Sequence, residues 1–549
     1  MRKHDERPTV WATSTSKGRY VSIEEWFLTE RERANPATGL PIWCAGNRAE
    51  PLVHGSAYFD RLVTEVSGLE RGDHLFFTDW RGDPDERLRP DGPTVAELFA
   101  AAAQRGVVVK GLIWRSHVDK LQFSEEENRN LSDQVRAAGG EVLLDQRVRR
   151  LGSHHQKLVV LRHPNAPERD VAFAGGIDLC HSRRDDATHD GDPQPLQMNK
   201  RYGEHPPWHD VQLELRGPVV GALDTLFRER WTDPMPLDSE NPVAYVRDRL
   251  RGADLRPDPL PDQPPEPPPA GPHRIQVLRT YPSVKPAYRF APDGERSIAR
   301  GYTKVIRRAR RLIYVEDQYL WSKDVAELFA AALREQPELH LVAVVPRYPD
   351  VDGRFALPPN QVGREIALEV CQRADPDRVH VFDLENRAGN PVYVHAKVCV
   401  VDDVWATVGS DNLNRRSWTH DSELSCAVLD DTRDERAPTD PAGLGDGARR
   451  YARDLRLRLW REHLDRAPDG SEDADLLDPA DAVAAITASA QAVQEWYDGG
   501  QRGPRPPGRL RPHRPEHLGP ATKLWAVPAY RLIYDPDGRP IRARLRRTW

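Results

Sequence analysis

The feature that most constrains this chain is "ADLRPDPLPDQPPEPPPAGPH", residues 253–273. Proline fixes φ and has no amide proton, so this density forbids helix interiors and central strands and leaves a stiff, extended connector. The whole chain has 549 residues, too many for one ordinary core, so two domains or one large duplicated unit is expected. The expected division is an N-terminal extension (1–45), a first half (46–252), the proline-rich linker (253–273), a second half (274–466) and a C-terminal appendage (467–549).

Both halves read as α/β. In the first, "HLFFTDW" has the pattern of a strand, "TVAELFAAAAQRG" of an amphipathic helix and "VVVKGLIW" of another strand. After the linker "SIARGYTKVIRRARR" is helical in pattern, "LIYVEDQYL" strand-like, "DVAELFAAALREQ" helical and "LHLVAVVP" a strand. Such alternation predicts, in each half, a mainly parallel sheet flanked by helices. The likeness of "TVAELFAAAAQRG" to "DVAELFAAALREQ" hints at duplication. From about Ala467 the chain turns acidic ("DGSEDADLLD"), passes through a helix-like "AVAAITASAQAVQEWY" and becomes rich in Pro, Gly and Arg, the pattern of an appendage with a partly disordered connector.

Two stretches carry chemistry. "SHHQKLVVL" from Ser153 and "YVHAKVCVV" from Tyr393 each hold His-x-Lys before an apolar strand. Successive strand side chains alternate faces, so His155 and Lys157 share one face, as do His395 and Lys397, and each pair can aim at one ligand. Each strand leads through a second apolar run to a small-residue turn, "VAFAGGIDL" or "VWATVGSDNL", where Asp178 and Asn412 hold equivalent places and glycine permits close backbone approach. Further on stand Asp210 in "PWHDVQLELRGP" and Glu423 in "RRSWTHDSELSC".

Composition narrows the classes. With 79 basic against 85 acidic residues and net charge -6, no polyanion-coating surface is advertised. Five scattered cysteines without Cys-x-x-Cys spacing argue against a zinc cluster or a disulfide framework and fit a reducing cytoplasm. The N-terminus lacks a signal-peptide apolar run, and no run of about 18 apolar residues could cross a bilayer, so membrane contact is expected to be peripheral. His181, His189, His205 and His209 fall on a polar segment with irregular spacing, which reads as a solvated loop.

The paired stretches resemble the two His-x-Lys-x4-Asp motifs of the phospholipase D superfamily. "HHQKLVV", "GGIDL", "PWHDV", "IYVEDQYL", "VHAKVCVVDD", "GSDNLNRRS" and "DSEL" are similar, in order, to its lipid-acting, eukaryotic-like branch over roughly residues 70 to 465. The resemblance implies two α/β halves about a pseudo-two-fold axis with one shared active site. It implies a phospholipid substrate at a membrane surface, hydrolysis or exchange of the headgroup through a phosphohistidine, and no metal or other cofactor. His155 would be the nucleophile, served by Asp210, and His395 the general acid, served by Glu423. Lys157, Lys397 and Asn412, with Ser410 and Asp178 beside them, would meet the phosphate. Asp402 completes the second motif; as a strand-end acid it is expected to support the fold. In the first motif that position is Arg162. Alternatives are a cardiolipin synthase-like phosphatidyltransferase, a nucleic-acid phosphodiesterase, which the lack of a basic, aromatic-rich block disfavours, and a non-catalytic lipid-binding relative. Oligomeric state is left open.

Overall fold

The computed structural model describes residues 23–116, 125–237, 256–353, 355–546 and 548–549. The first 22 residues of the extension and residues 253–255 of the proline run lie outside them. The first half contributes β1 (Cys44–Val53), β2 (His74–Asp79), β3 (Val108–Trp114), β4 (Glu141–Asp145), β5 (Leu158–Arg162), β6 (Val171–Gly175), the two-residue β7 (Trp208–His209) and β8 (Val211–Arg216). The second contributes β9 (His273–Tyr281), the short β10 (Glu295–Arg296), β11 (Leu312–Asp317), β12 (His340–Val344), β13 (Val379–Glu385), β14 (Pro391–Val394), β15 (Lys397–Val401), β16 (Trp405–Gly409) and β17 (Glu423–Asp430). β18 (Leu510–Pro512) comes from the C-terminal appendage.

Strand order shows the duplication. The first sheet runs β1–β8–β6–β5–β2–β3–β4, and the second runs β9–β17–β16–β15–β11–β12–β13, the same path strand for strand. The look-alike helices occupy matching places: Val95–Gln104 joins β2 to β3, and Lys323–Glu335 joins β11 to β12. Each sheet is mixed. Within these two seven-strand paths, among the described residues, only β2–β3–β4 and β11–β12–β13 run parallel. The strands after each His-x-Lys return through short connections with no crossover helix, which antiparallel pairing permits and parallel pairing does not.

The two sheets face each other. Phe76, Val160, Ala172 and Leu213 of the first share one core with Tyr314, Val344, Val400, Ala406 and Val428 of the second. Their strand neighbours point outward: Leu75, Phe77 and Val159 under helices Gly55–Ser67 and Val95–Gln104, and Ile313, Val315 and Val401 under helices Ser297–Arg308 and Lys323–Glu335. Coverage on both faces explains why "LFF", "LIYV" and "VCVV" are apolar throughout instead of alternating.

The connecting pieces are tied in. The linker lies along helix Val219–Trp231: Arg228 donates to Pro261 O (2.6 Å), and Trp231 Nε1 to Asp258 O (2.8 Å). Arg162, the departure from the motif, is buried here. It pairs with Asp170 and Asp224 (2.7 Å each) and donates to Pro264 O and Pro265 O, so it clamps the linker and lies away from the site. Trp26, Phe27 and Leu28 of the N-terminal extension pack on the outer face of the second sheet. The appendage does not meet the expectation of a disordered connector. Arg461 and Arg466 pair with Asp473 and Asp475 in its acidic stretch, helix Pro479–Asp498 buries Ile486 and Ala490 in the shared core, and β18 extends the second sheet beyond β13.

Candidate active site

Where the halves meet, each His-x-Lys segment hydrogen-bonds the backbone of the other half. His155 N donates to Ser422 O (2.9 Å) and Ser422 N to Ser153 O (3.0 Å). At the matching place β14 runs parallel to β7, pairing Tyr393 with Trp208 and Val394 with His209, and His395 N donates to His209 O (2.8 Å). The residue after Ser422 is Glu423 and the residue after His209 is Asp210, so each histidine meets the carboxylate of the opposite half. His155 Nδ1 lies 2.9 Å from Glu423 Oε2, and His395 Nδ1 lies 2.6 Å from Asp210 Oδ2. This corrects the expected assignment, in which Asp210 served His155 and Glu423 served His395. The strand pairing between halves makes the crossed arrangement the one within reach.

Both imidazoles thus engage Nδ1, which leaves Nε2 for chemistry. The His155 side chain is 15% exposed and His395 6%. Burial, with Lys157 next in weight, holds the His155 pKa well below the ordinary imidazole value; for His395 burial is joined by Lys397 and Arg183. Both rest neutral at pH 7. Lys397 also acts on His155, and Lys157 on His395, so the four residues form one electrostatic cluster. Burial lowers Lys397 to about 8 against the pull of Asp210. It raises Glu423 to about 8, helped by Asp421 and opposed by the Ser410 hydroxyl and Lys157, and it also raises Asp210.

Two residues expected at the phosphate, Ser410 and Asp178, do other work, and Asp402 bonds the backbone at the start of β11. Ser410 Oγ donates to Glu423 Oε2 (2.5 Å) and so orients that carboxylate. Asp178 pairs with Lys157 (3.1 Å) and Arg183 (3.4 Å), which outweigh the burial that would raise its pKa; a carboxylate held anionic there positions lysine and would repel phosphate. Asp402 sits in the β15–β16 turn at φ 52° and accepts the amides of Arg310, Arg311 and Leu312 (2.8–2.9 Å), fixing the start of β11. Burial raises its pKa to about 6. Asn412, at the place matching Asp178, is buried and has no carboxylate charge, and among the described residues its side-chain oxygen has no hydrogen-bond partner. It keeps the amide that a phosphate oxygen would need. One glycine has a definite reason: a Cβ at Gly176 would stand 2.1 Å from Asp210 Oδ1, so it is the carboxylate in contact with His395 that needs the space.

Some contributors carry weak sequence signals. Arg183 lies with its guanidinium 3.9 Å from the Trp208 ring, and Trp208 packs 4.9 Å from His395. Gln318 Nε2 donates to Tyr393 OH (2.8 Å), and its Oε1 stands 3.4 Å from Lys397 Nζ. A narrow cleft opens beside Gln318 and Tyr393, lined also by Tyr319, Trp321 and Tyr348. The histidine-bearing segment is no solvated loop, because His189 and His209 are buried. His209 Nε2 lies 2.7 Å from Glu316 Oε2, and His54 and His189 lie 2.8 and 3.0 Å from the Glu462 carboxylate. Burial would lower His209, but Glu316 and Glu462 prevail and lift it to about 10, so it carries charge. His54, His189, His209 and Glu462 are also residues that could hold a metal ion, with ligand atoms within 4.8 Å of one another. Glu316 was findable: a carboxylate inside the apolar run "LIYVED" must have a buried partner.

Both halves of the chain are similar to known proteins. A profile described as phospholipase D matches residues 85–249, and one described as cardiolipin synthase, PLD-like domain, matches 303–436, one in each half. The chain is 24% identical to phospholipase D alpha 1 of Arabidopsis thaliana over 98% of its own length and 80% of the relative's. It is 26% identical to phospholipase D alpha 2 of Oryza sativa subsp. japonica over 94% and 77%. The crystal structure of phosphatidylserine synthase from Haemophilus influenzae Rd KW20 aligns over 73% of this chain and 86% of that one at 13% identity, with a TM-score of 0.49. Two matched halves, each supplying one His-x-Lys to a common centre, belong to one lineage: the chain is a member of the phospholipase D superfamily.

Proposed function

We propose that the protein cleaves or exchanges the headgroup ester of a phospholipid through a covalent phosphohistidine. The observation that carries the reading is the pair of crossed histidine–carboxylate contacts, at 2.9 and 2.6 Å, within one lysine-lined site. The phosphodiester's anionic oxygens face Lys157, Lys397 and the Asn412 amide, which offset the charge that would turn away a nucleophile. Neutral His155 attacks phosphorus through Nε2 while Glu423 accepts its Nδ1 proton in a hydrogen bond. The N–P bond forms as the P–O bond to the headgroup breaks, roughly in line. His395, held by Asp210, gives its Nε2 proton to the departing oxygen. Burial, Lys397 and Arg183 depress its pKa, and the arriving phosphate supplies the negative charge that favours its protonated form. Water or another alcohol then attacks phosphorus, the N–P bond breaks, and its proton passes to His395.

The plant relatives' names support a phospholipid substrate. The scheme draws its positive charge from lysine and needs no metal at the phosphate. Incubation with phosphatidylcholine and ethanol tests it: phosphatidate and phosphatidylethanol should form, His155→Ala should abolish both, and His395→Ala should cut both by about a hundredfold or more. Unchanged turnover in either variant would place the chemistry elsewhere.

A further inference from the structure

An enzyme whose substrate sits in a bilayer must bring its site to that surface, and the described residues carry an uneven distribution of exposed apolar groups. The large apolar side chains left exposed are Leu151, Phe355, Leu524, Trp525, Leu532, Ile533, Ile541 and Leu545. Six of these fall between 524 and 545. Phe355 joins them through its ring contact with Trp525 (6.1 Å). In helix Pro520–Ala529 and the turn after it, Ala526 and Tyr530 face inward, Tyr530 against Trp321 and Val362. Leu524, Pro528 and Leu532 share that four-residue spacing on the opposite side and are exposed. Leu524 is 81% exposed, Leu532 71% and Leu545 79%, an amount of apolar surface that monomeric proteins seldom leave to water without a use.

The same arm is basic. Between 520 and 546 there are six lysines and arginines against two aspartates, in a chain of net charge -6. Both aspartates are engaged, Asp535 by Tyr530 and Arg416, and Asp537 by Arg539, while Arg531, Arg542 and Arg546 are exposed. The arm is also tied to the site. Arg416 donates to Ile533 O (3.1 Å) and Leu151 O (2.5 Å) and pairs with Asp421 (2.6 Å). Asp421 accepts the Ser153 amide (2.9 Å), two residues before His155. Leu151, four residues before His155, gives its carbonyl to the same Arg416, so one exposed apolar group of the first half adjoins the arm.

We infer that residues 520–546, with Leu151 and Phe355, form a docking face that inserts apolar side chains into an anionic bilayer and sets the site's mouth on the lipid surface. Charge decides the partner: exposed leucines and isoleucines interleaved with arginines suit the acyl–headgroup boundary of anionic lipid, where apolar and cationic groups are both satisfied. The inference rests on the phospholipid reading of the site, and its test separates the two.

The experiment uses the full chain, sucrose-loaded vesicles of phosphatidylcholine with and without one-quarter phosphatidylglycerol, and monomeric short-chain phosphatidylcholine. The wild type should sediment with the mixed vesicles. Leu524→Asp with Leu532→Asp should weaken that binding by roughly tenfold per leucine withdrawn from hydrocarbon. Arg531→Glu with Arg542→Glu should weaken it on anionic vesicles only. All variants should keep turnover on the monomeric lipid, which also shows that they fold. Wild-type protein that fails to sediment, or variants equal to wild type on vesicles, would overturn the proposal. So would a wild-type dimer, seen by light scattering, that the leucine variant converts to monomers with vesicle binding unchanged, because the face would then be a subunit interface. Patch-dependent sedimentation with no turnover of any phospholipid would uphold docking and sink the proposed reaction instead.

Discussion

Crossed pairing makes a prediction that separates the two histidines by what they do. A headgroup that departs as a stable anion needs no proton from a general acid, so a phosphatidyl p-nitrophenyl ester should excuse the residues that serve protonation and no others. Asp210→Asn keeps the shape of the 2.6 Å contact with His395 and removes its charge. Hydrogen bonds to charged groups contribute about 1.5–3 kcal/mol, so the variant should lose roughly 10–150-fold in kcat/KM on phosphatidylcholine. On the p-nitrophenyl ester the loss should shrink to a few-fold. Glu423→Gln, at 2.9 Å from His155, should lose a similar factor on both substrates, because the nucleophile is needed whatever leaves. His395→Ala should follow Asp210→Asn, at about 10²–10⁴-fold on the choline ester with large recovery on the activated one. Choline release and p-nitrophenolate absorbance give the rates. Recovery of Glu423→Gln together with His395→Ala would refute the crossed arrangement. Recovery of the His155 and Glu423 variants as a pair would keep the crossing and reverse the roles.

Three further outcomes follow from the same geometry. Glu423 must be ionised to hold His155 and rises to about 8, while Lys397 must be protonated and falls to about 8. Turnover should therefore climb as Glu423 deprotonates, fall as Lys397 deprotonates, and give a narrow bell near pH 8; Glu423→Gln should erase the acid limb, and a broad plateau from pH 5 to 7 would contradict this. Gly176→Ala would bring a methyl 2.1 Å from Asp210 Oδ1, and displacement of that carboxylate should cost roughly a hundredfold in kcat with the fold intact by circular dichroism. Arg162→Asp, which restores the motif's acid, should destabilise by about 3–5 kcal/mol, because Asp170 and Asp224 would lose their buried partner; a raised melting temperature would show that the linker clamp matters little.

Much was legible in one dimension because the chain says it twice. Period and turn residues reveal strand and helix, so "HLFFTDW" is β2 and "DVAELFAAALREQ" a helix, and the repeat of His-x-Lys before an apolar strand marks a site built from two halves. The alternation of faces also sufficed to join His155 to Lys157 and His395 to Lys397. Partners in contact across the halves were beyond such reading, because nothing local states which backbone lies beside which. Glu423 is 268 positions from His155, and Asp210 185 from His395. Only the pairing of Ser153–His155 with Ser422, and of β14 with β7, decides that each carboxylate crosses over. The same holds for Arg162, which reads as a damaged motif until the linker is seen lying over it, and for His54, His189, His209 and Glu462, gathered from three distant segments. Residue type and spacing determine what chemistry is available. Long-range packing, which buries those groups and chooses their neighbours, decides which nitrogen is free, which carboxylate is charged and from which side a substrate can arrive.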